Sequence, residues 1–321
     1  ALKKKDRSSK PTQVKLAISI IVSLILWNLP IEVFGIPNLT VVEQRVIAVF
    51  AFATLMWLTE AISSWATSVM IIVILLYSCS TSSLWFFVDG DPETLGKLIN
   101  YKDLLNTFAD PIIMLFLGGF VLAIAATKTG LDVMLAKAIL KPFGTKPANV
   151  LLGFVLATGL FSMFLSNTAT AAMMLTFLTP VLKSLPADGK GKIGLAMAIP
   201  IGANIGGIGT PIGTPPNAIA LKYLNDPAGL NLNLGFGEWM MILFPFALLL
   251  LFIGWILLLK LFPFKATSIE LNIEGETKKD WRSIVVYITF ALTIVLWCTD
   301  KFTGVNSNVV AMLPVGVFCA I

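Results

Sequence analysis

Histidine is absent from the 321 residues, which removes the commonest proton relay and metal ligand from any chemistry the chain performs. Charge is scarce as well: 13% of residues are Asp, Glu, Lys or Arg, against about 25% in a soluble domain. The three cysteines, Cys79, Cys298 and Cys319, are odd in number and two lie in or beside apolar runs. Neither a disulfide framework nor a metal cluster follows from them. What is there is apolar: 57% of residues, with a mean hydropathy of +0.87. Several runs reach the length of a bilayer crossing, so the composition points to an all-α polytopic membrane protein. The net charge of +5 does not imply nucleic acid. Most positive charge lies between the apolar runs, where it sets topology.

Lys3, Lys4, Lys5, Arg7 and Lys10 precede a first span at 14–29. Trp27-Asn28-Leu29-Pro30 is a poor cleavage site, so a retained helix with a cytoplasmic amino terminus is expected. Spans at 42–57 and 61–77 follow, and the acidic stretch 78–106 then belongs outside. The span at 112–126 returns inward to Lys128, Lys137, Lys141 and Lys146, with an amphipathic interfacial helix at 131–140. Further spans are expected at 240–259 and 284–299, separated by a charged linker. The last apolar run, 309–321, is 13 residues long without a polar flank, and it reads as the start of a span in a longer protein. Trp27, Trp57, Trp239, Trp281 and Trp297 fall at span ends, where an aromatic belt would anchor them.

Two stretches depart from this pattern. Residues 147–185 form two apolar arms around Ser166-Asn167-Thr168, each shorter than the ~20 residues a crossing needs. Lysines flank the pair on both sides, so it crosses zero or two times, and arm length with a polar tip favours a re-entrant hairpin. Residues 202–217, GANIGGIGTPIGTPPN, hold five glycines and three prolines inside an apolar segment. One straight helix cannot continue through them, and a discontinuous helix unwound around 210–216 is expected. Pro215 and Pro216 suit the first turn of its second half. Each interruption exposes carbonyls at one helix end and N–H groups at another, a cation site beside an anion site. Two such elements near the membrane midplane form the arrangement of secondary transporters. Neither break carries Lys or Arg, so a buried anion would need a nearby cation such as Na⁺.

FLSNTATA at 164–171 and GTPIGTPPNAI at 209–219, supported by MWLTEAIS at 56–63 and FLGGFVLAIAATKTGLD at 116–132, resemble the divalent-anion:sodium symporter family. The resemblance runs over essentially the whole chain. It implies a transporter fold with a re-entrant hairpin and discontinuous helix, the first of two inverted repeats plus the start of the second. It further implies an elevator-type homodimer carrying di- or tricarboxylates with Na⁺, C4-dicarboxylates such as succinate foremost. On that resemblance Ser162, Ser166, Asn167 and the Gly213 carbonyl are the expected Na⁺ ligands. Asn167, Thr168, Thr214 and Pro215 are the expected contacts of the substrate. The expected divisions are scaffold spans and interfacial helix at 1–146, a transport-domain half at 147–260, a linker at 261–280, and the second repeat's beginning at 281–321. Ser63 stands where the family usually has proline, and no second Ser-Asn-Thr hairpin follows residue 168. The resemblance therefore implies an amino-terminal part carrying half of a site, in a bacterial inner or plasma membrane.

Plainer readings compete. On one of them Ser166 and Thr168 simply back-bond to helix carbonyls, and Asn167 is interhelical glue. Gly202 and Gly206 read as helix packing, Glu60 as a helix-end residue, and Asp110-Pro111 as the cap of the next span. A dicarboxylate exchanger or a proton-coupled anion transporter would keep the same neutral oxygens. An intramembrane enzyme fits poorly, because Ser162 and Ser166 have no base nearby in sequence.

Overall fold

In the computed structural model, residues 10–185, 189–271 and 277–321 are described. The basic cluster Lys3, Lys4, Lys5 and Arg7 and positions 272–276 of the expected linker lie outside them. The chain divides into two compact units, Ala1–Asp110 and Pro111–Ile321. Among the described residues six helical stretches are long and apolar enough to cross a membrane: Pro11–Asn28, Val41–Thr59, Tyr101–Thr129, Lys190–Gly209, Phe236–Leu261 and Trp281–Cys298. The protein is a polytopic helical membrane protein.

The first unit is built from α1 (Lys10–Asn28), α2 (Val41–Thr59) and α3 (Ser64–Ser78), followed by short helices over the stretch expected as a loop. Helix α2 starts at Thr40, whose hydroxyl and backbone trade hydrogen bonds with Glu43 as a capping box. It stops at Glu60, which takes a left-handed conformation (φ 49°) and so serves as the expected helix-end residue. The chain then bends through residues 61–63, and α3 begins at Ser64 rather than at 61. At 15 residues α3 falls short of span length, unlike the crossing expected at 61–77. The Arg45 guanidinium lies over the Trp27 and Phe87 rings, 5.6 and 5.2 Å from their centroids. Its Nη1 donates to the Ser78 and Phe87 carbonyls. A cation paired with carbonyls and ring faces thus ties the stretch after α3 to α2.

The second unit begins with α4 (Pro111–Thr129) and the short α5 (Leu131–Leu140), which has the limits read from the sequence. The hairpin follows as α6 (Pro147–Ser162) and α7 (Asn167–Ser184), with arms of 16 and 18 residues. Neither is among the stretches long and apolar enough to cross. Helix α8 (Lys190–Gly206) runs on through a 3₁₀ turn, Gly207–Gly209, into non-helical backbone. Helix α9 (Pro215–Leu224) restarts with both prolines in its first turn. Helices α10 (Phe236–Leu261), α11 (Trp281–Cys298) and α12 (Met312–Cys319) complete the unit.

One core joins the hairpin to α5, α8 and α10 through Leu140, Leu151, Phe154, Met174, Leu178, Leu195, Ile199 and Leu251, all buried. Without a hydrophobic drive between helices in lipid, close packing of small residues carries such an assembly. The Gly202/Gly206 pair does this here: methyl groups placed there would reach within 2.8 Å of the Val155 carbonyl and 2.1 Å of the Gly159 carbonyl. A second core places Leu115 and Leu122 of α4 with Ile212 of the break, Phe236 and Trp297. This corrects two of the expected belt anchors. Trp297 is fully buried, stacked on Phe236, and donates to the Ser307 carbonyl. Trp239 is 8% exposed and donates to the Ile208 carbonyl. Indole N–H groups with partners inside the protein have no need of the headgroup region. Trp57 and Trp281 remain exposed.

Candidate functional site

Helix α6 ends at Ser162 because the chain turns through residues 163–166, and Ser166 restarts it as the N-cap of α7. Its hydroxyl accepts from the Ala169 N–H at 3.3 Å, which makes it a helix cap rather than a back-bond to a carbonyl. The first residue of the new helix is Asn167, and its side chain turns back toward the end of α6. Ser162 Oγ, fully buried, lies 2.8 Å from Asn167 Oδ1 and 2.7 Å from the Ala203 carbonyl of α8. The hydroxyl has one proton for two acceptors. It can donate to only one of them at a time, so the other oxygen faces it without a proton between. Asn167 Nδ2 meanwhile faces Asn204 Oδ1 at 3.3 Å.

The broken helix meets the hairpin at this point. Thr210, fully buried, donates from Oγ1 to the Met163 carbonyl, an orphan acceptor at the end of α6. The same oxygen accepts from the Gly213 N–H at 3.0 Å. Gly207 presses against Asn167: a methyl there would lie 2.6 Å from Asn167 Oδ1. Gly213 in turn packs on Gly207, where a methyl would lie 2.4 Å from the Gly207 carbonyl. Only glycine permits both approaches. Asn217, on the first turn of α9, donates from Nδ2 to the Gly207 and Thr210 carbonyls at 2.7 and 2.8 Å.

Of the residues expected from the sequence, Ser162, Asn167 and Gly213 are drawn into one contiguous cluster with Gly207 and Thr210. Ser166 and Thr214 are half-buried, and Thr168 and Pro215 are exposed beside them in sequence. The Thr214 hydroxyl makes no cap to α9. Because Pro215 and Pro216 have no N–H, the start of α9 offers an anion fewer donors than an ordinary helix end. Asn204, Thr210, Asn217 and Trp239 did not stand out in the sequence as contributors. Each acts by a side chain reaching across the fold, and only the position of Thr210 and Asn217 inside the Gly/Pro stretch hinted at it. Among the described residues no three His, Cys, Asp or Glu side chains gather as a metal site would need.

The chain is 30% identical over 314 residues to the sodium-dependent dicarboxylate transporter SdcS of Staphylococcus saprophyticus, a match covering 92% of this chain and 57% of that protein. The SdcS of Staphylococcus aureus strain USA300 is 30% identical over 316 residues, covering 93% of this chain and 57% of the relative. An uncharacterized transporter of Schizosaccharomyces pombe is 31% identical over 281 residues, 86% of this chain and 31% of that one. The chain thus spans 57% of the length of the bacterial relatives it matches. The family model described as "Citrate transporter" matches residues 54–320, which include both helix interruptions. That match takes in most of the sequence, and it shows that the chain belongs to the citrate transporter family, whose members are carriers and not enzymes.

Proposed function

We propose that this chain forms the first half of a Na⁺-coupled symporter for di- or tricarboxylates, with C4-dicarboxylates such as succinate as the main substrate class. The observation that carries the reading is the meeting of the two interruptions. Thr210 bonds the Met163 carbonyl, Gly207 lies against Asn167, and Ser162 shares its hydroxyl between Asn167 and Ala203. Two of the bacterial relatives are named sodium-dependent dicarboxylate transporters, in keeping with that chemistry.

On this reading Na⁺ takes Ser162, Ser166, Asn167 and the Gly213 carbonyl as ligands. The Gly207, Ile208 and Thr210 carbonyls already accept hydrogen bonds from Asn217 and Trp239, and the Gly213 carbonyl is the backbone ligand that the family resemblance implies. The substrate carboxylate faces Asn167, Thr168, Thr214 and Pro215. Without Lys or Arg in either break, burying that carboxylate alone costs several kcal/mol or more, of the order known for unpaired buried charges. The cation lowers the cost. Asn167, common to both sites, couples the two affinities.

The motion belongs to the same proposal. Residues 147–260 move as a unit of an elevator against scaffold spans within 1–146, joined by the linker 261–280 to a second repeat beginning at 281. The core shared by α6, α7, α8 and α10 supports a rigid moving body, and because Ala136 and Leu140 of α5 belong to the same core, that short helix moves with it. In this picture the contact of Ile212 with Leu115 and Leu122 is one of the surfaces that slide. The protein works as a homodimer with its amino terminus in the cytoplasm. Uptake of labelled succinate, citrate and sulfate by the full-length protein, with and without Na⁺, tests the reading. Asn167→Ala is expected to abolish Na⁺-dependent binding and uptake together. Normal uptake by that variant at normal expression overturns the assignment.

A further inference from the structure

Three carbonyl oxygens at the end of α8 converge on one nitrogen. Asn217 Nδ2 lies 2.7 Å from the Gly207 oxygen, 2.8 Å from the Thr210 oxygen and 3.4 Å from the Ile208 oxygen. The primary amide has two protons, and the two short contacts use them. Ile208 accepts instead from Trp239 Nε1 at 3.1 Å. A cluster of backbone oxygens where a helix ends carries partial negative charge and is the natural place for a small cation. Here a side-chain amide stands at its focus. It can stand there because Gly207 and Gly213 pack backbone to backbone, folding the break tightly enough for the start of α9 to face the end of α8.

We propose that Asn217 is an ion-excluding plug: its amide fills a backbone-carbonyl cage that would otherwise bind a cation, and so confines the coupling ion to the Ser162–Asn167 side of the break. The proposal rests on the reading that the break and the hairpin hold a cation together. Asn217 then acts as a positioning residue. It touches neither ion nor substrate, and it decides which carbonyls remain available to the ion. Trp239 supports the same assignment by taking the third oxygen from a different helix.

A tie that merely held the loop in shape would be lost on substitution in every salt. A plug has a different signature, because removing its donor while supplying an oxygen creates a site. Asn217→Asp keeps the shape of the side chain and places a carboxylate among the three carbonyls, which repel it until a cation enters. The full-length protein in detergent is melted in choline chloride, NaCl and CaCl2 at matched ionic strength. Asn217→Asp is expected to melt below wild type in choline chloride and to regain more than half of the deficit in CaCl2, whereas wild type does not respond to CaCl2. Asn217→Ser opens the cage without adding charge and is expected to respond to cations in the same direction with smaller amplitude.

If neither variant responds to a cation, or if Asn217→Asp melts like wild type in choline chloride, the plug is overturned. Failure of Asn217→Asp to fold even in CaCl2 counts the same way. Wild type in NaCl against choline chloride reads the parent proposal separately. A missing Na⁺ shift there, with the variants still rescued, removes the coupling and leaves the plug standing.

Discussion

Gly206→Ala probes the seam on which the site is assembled. The added methyl would lie 2.1 Å from the Gly159 carbonyl oxygen and 2.5 Å from the Gly159 Cα. Ordinary contact begins at 3.4 Å, so α6 and α8 must part by about 1.3 Å at a place where backbone meets backbone and no side chain can swing aside. The bond from Ser162 Oγ to the Ala203 carbonyl spans the same two helices at 2.7 Å, and it does not survive a separation of that size. Overpacking of this kind costs about 1–3 kcal/mol. Losing a buried hydrogen bond adds roughly 1–3 kcal/mol, and the better helix propensity of alanine returns about 1 kcal/mol. The balance is a loss of roughly 1–5 kcal/mol, read as a lower melting temperature of the detergent-solubilised protein. Gly119→Ala is the matched control. Its methyl would find only Ile212 Cδ1, at 4.0 Å, and it should stabilise α4 by about 0.5–1 kcal/mol. A Gly206→Ala protein that melts at or above wild type, or above Gly119→Ala, refutes the reasoning.

Three further outcomes are expected. Thr158 is fully buried in α6 with a hydroxyl that finds no partner, so Thr158→Val should be neutral or raise stability by about 1 kcal/mol; a clear drop in melting temperature would reveal an unseen ligand for that oxygen. Ser63 has φ −64° and ψ 142°, backbone that proline adopts without strain, and its hydroxyl is also unpartnered. Ser63→Pro should therefore raise stability by about 0.4–1 kcal/mol, and a fall would mean that its N–H is needed. Asp280 caps α11, and the hydrogen bond from Ser283, followed by backbone N–H donors, holds its carboxyl below the ordinary 3.8. A depressed folded value gives stability that is present above the unfolded value and is lost as pH falls through the folded one. The melting difference between wild type and Asp280→Ala should accordingly narrow below about pH 4, and a gap that widens with acid contradicts the sign.

Much of the site region was legible in the sequence because its signals are local. Arms too short to cross and a Ser-Asn-Thr tip marked the hairpin, and prolines placed after glycines marked the restart of α9 at Pro215. The limits of α5 follow from amphipathic periodicity between lysines. What escaped is tertiary. The same indole that anchors at a membrane surface also fills a core, so composition could not distinguish Trp297 and Trp239 from Trp57. Asn217 and Asn204 look like any polar residue in a loop until the fold shows which carbonyls and amides they face. Helix α3 starts later than its apolar run because Glu60 and the bend after it take residues that hydropathy alone assigns to a span.

The paired prolines opening α9 have a consequence for turnover. Proteins that clasp phosphate tightly do so with a full ring of amide hydrogens, and here two of those hydrogens are missing by covalent structure. On the proposed reading, an anion arriving unaccompanied finds too weak a grip to stay. One that arrives with its ion is held no harder than release on the far side allows. A carrier that bound its cargo firmly would be a trap.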